Sequence, residues 1–145
     1  MSFELSLTRE QTFELLELTV HNGARPVIVI EDRDGISHEM FVDLIFADRK
    51  DTAVFDYSDF VMDQAFSMDK IKELASYCFV IIENVKHLYG KSATSKILAD
   101  FVKCMSAEST AVIFVGKRAT YDMAEFIEQA GDCVQYIIKV CSEEE

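Results

Sequence analysis

The chain has little of what loosens or interrupts a fold. One proline and five glycines in 145 residues leave little room for linkers or disordered stretches. Four cysteines (Cys78, Cys104, Cys133 and Cys141) show no C-x-x-C spacing and fall mostly in apolar surroundings. They read as reduced core or surface thiols rather than a metal site or a disulfide frame. Basic residues are scarce, 14 against 26 acidic, and a net charge of −12 argues against a general nucleic-acid-binding surface. The longest apolar runs are strand-sized, too short to cross a bilayer. The expectation is a cytoplasmic protein without secretory leader or membrane partner.

What is present is core. Half the residues are apolar, and 11 Phe with 5 Tyr supply bulky filling. A single domain over residues 1–145 can bury a core of its own, with an acidic tail at 141–145. Thr8 followed by Gln11 has the spacing of a capping box, opening a helix that stops near Asn22-Gly23. Five strands follow: Pro26 to Glu31, Thr52 to Asp56, Cys78 to Glu83, Thr110 to Val115 and Val134 to Val140. The run CFVIIE is continuously apolar, as in a strand buried on both faces. Helical spacing intervenes at Ile36 to Ile45, from about Ser58, around Ile71 to Ala75, over Thr94 to Met105, and from Thr120 to Gly131. Such alternation predicts a three-layer α/β sandwich with a five-stranded parallel sheet. Ligands in such sheets collect beyond the carboxyl ends of the strands. Those ends carry Glu31 and Asp32, Asp56, Glu83 and Asn84, Gly116 and Lys117.

The first of these turns is short of two residue types. Glu31-Asp32-Arg33-Asp34-Gly35-Ile36 joins the strand PVIVI to a helix, the place where a nucleotide binder sets glycines and a lysine around phosphate. Here stand three carboxylates, one glycine and no lysine. Like charges repel at phosphate distance, and the missing glycines remove backbone freedom. The acids Glu31, Asp32 and Glu83 are also a candidate Mg²⁺ or Ca²⁺ set. The plainer reading is a solvated loop, or carboxylates paired with Arg33 and Lys117, the latter as ion partner of Glu83. The three histidines lack metal spacing, and adjacent Ser37-His38-Glu39 cannot form a triad.

The stretch IIENVKHLYGKSATSKILADFVKCMSAESTAVIFVGKR, Ile81 to Arg118, resembles the Walker B to sensor 1 region of the DnaA and Hda branch of the AAA+ ATPases. It carries Glu83-Asn84 at a strand end, then Leu88-Tyr89-Gly90-Lys91, then Gly116-Lys117-Arg118. Upstream, RPVIVIEDRDGISHEMFVDLI is similar to that family's strand, phosphate loop and helix, and DYSDFVMDQAF to the segment after its second strand. The likeness runs from about Arg25 to Val140. It implies the P-loop NTPase/AAA+ strand order 5-1-4-3-2.

It also implies a degenerate nucleotide site at Glu31, Asp32, Asp34, Ser37, Glu83, Asn84 and Lys117. The family's phosphate-loop lysine and its hydroxyl neighbour fall near Ser37 and His38. Asn84 stands where an acidic residue orients water, Lys117 takes the sensor position, and no arginine follows Arg118. Neither the helical lid nor the DNA-binding domain has a counterpart. The resemblance therefore implies a non-catalytic protein with no catalytic residues, no cofactor and no metal. A second resemblance, to response-regulator receivers, rests on Glu31, Asp32, Glu83 and Lys139 and implies the flavodoxin-like order 2-1-3-4-5.

Charge is polarised. Between Asn84 and Arg118, six basic residues face two acidic ones, a local +4 within a chain of −12. Lys86, Lys91, Lys96, Lys103 and Arg118 are the candidate contacts for a protein partner, which the resemblance places in the replication machinery. The bland alternative is a helix with solvated lysines. No direct nucleic-acid partner is expected.

Overall fold

The computed structural model describes residues 3–21, 27–33, 35, 52–57, 72–77, 79–85, 99–105, 110–118, 123–130 and 133–141. In chain order these give β1 (Phe3–Thr8), α1 (Arg9–His21), β2 (Val27–Glu31), β3 (Thr52–Asp56), β4 (Phe79–Glu83), β5 (Ala111–Gly116), α2 (Ala124–Ala130) and β6 (Val134–Cys141). Residues 99–105 are also helical. The six strands form one sheet in the order β1-β6-β2-β5-β4-β3, and the pairings are parallel. The five expected strands therefore take the order 5-1-4-3-2, and the flavodoxin-like alternative is excluded.

The strand count is corrected from five to six. The chain enters the sheet before its first helix, through β1 at the edge beside β6. FELSLT alternates apolar and polar residues throughout, the signature of a half-buried strand. β6 also runs one residue further than expected, so Cys141 is strand and not tail. The expected helix stop at Asn22-Gly23, the helix at Ile36 to Ile45, the helix from Ser58 and residues 142–145 lie outside the described residues.

The capping box forms as its spacing predicts. Gln11 N–H donates to Thr8 Oγ1 (3.2 Å), and Thr8 N–H donates to Gln11 Oε1 (2.9 Å). Two amide donors that a helix start leaves orphaned are thereby satisfied. The buried Thr12 hydroxyl donates back to Thr8 O at 2.8 Å, which ties the first turn of the helix to the end of the strand.

Alternation along the strands builds two cores. Val27, Val29, Val80, Ile82, Val112 and Phe114 face one side, with Leu74, Phe101, Met105 and Phe126 packed over them. Phe114 and Phe126 meet edge to face, with ring centroids 5.2 Å apart. Ile28, Ile30, Ile81, Ile113 and Ile138 face the other side, where Leu16 of α1 is fully buried. Each such side chain contributes about 1.5–3 kcal/mol on leaving water. β6 shifts phase by a bulge at Gln135: Val27 stands opposite Val134 and Ile28 opposite Tyr136. Gln135 Oε1 accepts the Val27 N–H at 2.6 Å, closing the gap in the ladder.

Candidate functional site

The same alternation decides what meets at the carboxyl ends. Asp32 continues the series Ile28, Ile30; Glu83 continues Phe79, Ile81; Lys117 continues Ile113, Val115. All three fall on one face and line a cleft of about 270 Å³ with Gly35, Asn84, Val115 and Gly116. Glu31 continues Val27 and Val29 and falls on the opposite face. There it meets Lys139, Nζ to Oε2 at 3.9 Å, on β6 beside it. The cation beside Glu31 is thus Lys139, a partner supplied by the neighbouring strand. The placement on opposite faces also explains why Glu31, Asp32 and Glu83 do not converge. Among the described residues no group of three or more His, Cys, Asp or Glu is placed to hold a metal ion.

Backbone bonds sew the strand ends together. Asp32 N–H donates to Gly116 O (2.8 Å), and Val85 N–H donates to Val115 O (2.9 Å). Gly35 N–H returns to Asp32 O at 3.3 Å, with Gly35 at φ +69°. Asp32 is only 4% exposed. A Cβ on Gly116 would stand 2.6 Å from Val85 O, so glycine is required by close approach of the chain itself.

Asn84 sits at φ +60°, a left-handed conformation that asparagine tolerates better than most residues. Its Nδ2 donates to Asp56 Oδ2 at 2.8 Å, joining the ends of β4 and β3. Asp56 was legible as a strand end, but its partner was not, because the adjacency of β3 and β4 is a tertiary fact. Tyr57, next along, is 5% exposed, and burial pushes its hydroxyl from 10.0 up to about 12.

Of the other expected site residues, Lys103 and Arg118 are exposed. Asp34, Ser37, Lys86, Lys91 and Lys96 lie outside the described residues. Sequence reasoning missed one feature entirely, an apolar groove beside β1 and α1, whose signal was the alternation in FELSLT together with the exposed Leu18. No helix among the described residues is long and apolar enough to cross a membrane.

A parallel sheet in this order, with its cleft at the carboxyl ends, defines a P-loop NTPase/AAA+-like α/β core. Within that class the chain has a DnaA-like, replication-initiator-type fold. It is similar to domain III of the Thermotoga maritima replication initiation protein DnaA, with TM-score 0.62 and 15% identity over 92% of this chain and 62% of that one. It is similar to a replication initiator DnaA bound to AMPPCP and single-stranded DNA, with TM-score 0.67 and 13% identity over 92% of this chain and 46% of that one. It is similar to DnaI, with TM-score 0.61 and 8% identity over 97% and 95% of the two chains. The chain thus spans roughly half to three-fifths of the DnaA-type chains and nearly all of the DnaI chain. The sequence itself matches no family model and no curated protein.

Proposed function

We propose that the protein is a non-catalytic interaction module built on a DnaA/Hda-like AAA+ core, and that it regulates DNA replication initiation by binding a protein of that machinery. One observation carries the reading: among the described residues of the turn that would receive phosphate, the backbone N–H groups of Asp32 and Gly35 are already bonded within the fold. A phosphate loop works because several backbone N–H groups converge on the anion. Here the Gly35 N–H is spent on Asp32 O and the Asp32 N–H on Gly116 O. The buried Asp32 carboxylate and Glu83 line the space that remains. At about 4 Å and an effective dielectric near 20, each unit of phosphate charge would meet roughly 4 kcal/mol of repulsion from one such carboxylate. Lys117 is the cation lining that cleft among the described residues, and it is exposed.

The replication context draws on the structural likeness to initiator and helicase-loader chains. The protein partner draws on the polarised charge and on the acidic balance that disfavours nucleic acid. A phosphate-release assay with Mg²⁺ and ATP tests the non-catalytic half. We expect release at the rate of the protein-free blank. Turnover that disappears in Glu83→Gln would overturn the proposal.

A further inference from the structure

β1 is the outermost strand on its side of the sheet, and among the described residues no strand pairs with its outer edge. It carries no proline, and its six residues pair in unbroken register with β6. Such an edge leaves a row of backbone donors and acceptors open to another chain. Beside it lies an apolar groove of about 680 Å³, larger than the strand-end cleft. Its floor is Leu5 and Leu7 of β1 with Phe13, Leu15 and Leu18 of α1, and Leu18 is 61% exposed. No residue of β6 lines it, so the groove opens on the outer flank of the sheet, next to the free edge.

An added strand projects alternate side chains to opposite faces. One set would enter the groove over Leu5 and Leu7; the other would stand level with Glu4 and Ser6 on the opposite face. The groove rim is acidic, with Glu14 and Glu17, and on the far face Glu4 is exposed while the Lys139 beside Ser6 is paired with Glu31. We propose that β1 and α1 form a strand-addition site for an extended segment of a partner protein, apolar at alternate positions with lysine or arginine between. Main-chain bonds to the edge give affinity, and the groove and the glutamates give selectivity. A second copy of this chain fits poorly. Pairing β1 with β1 would join two molecules of −12.

A fluorescein-labelled peptide, Lys-Val-Lys-Leu-Lys-Val-Lys, titrated into the full chain by anisotropy, tests this. A scramble of equal composition and the Glu-Val-Glu-Leu-Glu-Val-Glu peptide are the controls. We expect saturable binding of the basic alternating peptide, at least tenfold tighter than either control. Hydrogen exchange should slow at residues 3–8 and 11–18 on binding. Leu18→Glu should weaken binding at least tenfold, and because Leu18 is exposed the variant should fold normally. Glu4→Lys with Glu14→Lys should shift preference toward the acidic peptide. Equal binding of the scramble, exchange protection only at the strand-end cleft, or a dimer in sedimentation that Leu18→Glu dissolves would each overturn the proposal. None of these results depends on whether nucleotide binds.

Discussion

Gly116→Ala is the sharpest structural perturbation of the strand-end cleft. The new methyl carbon would stand 2.6 Å from the Val85 carbonyl oxygen and 3.2 Å from Val85 Cβ. Ordinary separation begins near 3.5 Å, so one chain must move by roughly 0.9 Å. Neither strand end is free to move. Val85 N–H is bonded to Val115 O, and the Gly116 carbonyl accepts from Asp32 N–H. Forcing a methyl into such a site costs about 1–3 kcal/mol, and a lost backbone bond adds about 0.5–1.5 kcal/mol. The lower entropy of the unfolded alanine chain returns about 0.4–1 kcal/mol. The net expectation is a destabilisation of about 0.5–4 kcal/mol. In urea denaturation followed by circular dichroism, the midpoint should fall while the slope m stays constant. A variant within 0.5 kcal/mol of the parent would refute the close approach of β4 and β5.

Gly35 makes the opposite case, since nothing lies within 4 Å of its missing Cβ but φ is +69°. Gly35→Ala should cost about 1–2 kcal/mol and Gly35→Asn less, by the same denaturation assay. Thr8→Ala breaks the capping box and should cost about 1 kcal/mol, read as a lower urea midpoint. Tyr57 predicts an alkaline effect. Above pH 10 the unfolded chain releases its proton while the folded chain holds it to about 12, so stability is complete below pH 10 and falls across that window. The slope is at most about 1.4 kcal/mol per pH unit, and Tyr57→Phe should flatten it in urea midpoints measured from pH 9 to 11.5.

The sheet was legible because its strands are short apolar runs separated by helical spacing, and both periods survive in a single sequence. Strand order was legible only through the resemblance, since periodicity cannot say which strands are neighbours. β1 was overlooked because FELSLT is brief and flanked by a strong helix start; six residues of strict alternation were the missed signal. The acidic turn was seen as one cluster, yet Glu31 and Asp32 are successive residues of an extended chain and must point to opposite faces. That rule was available from sequence. The pairing of Glu31 with Lys139 and of Asn84 with Asp56 was not, because each joins residues brought together only by sheet order.

The central claim is the loss of two phosphate donors, the Asp32 and Gly35 N–H groups already bonded within the fold. Isothermal titration of ATP or ADP, with Mg²⁺, into the full chain measures its consequence most directly. No saturable heat is expected with either nucleotide. Binding in the low-micromolar range, weakened by a substitution at Lys117 or at Gly35, would contradict it.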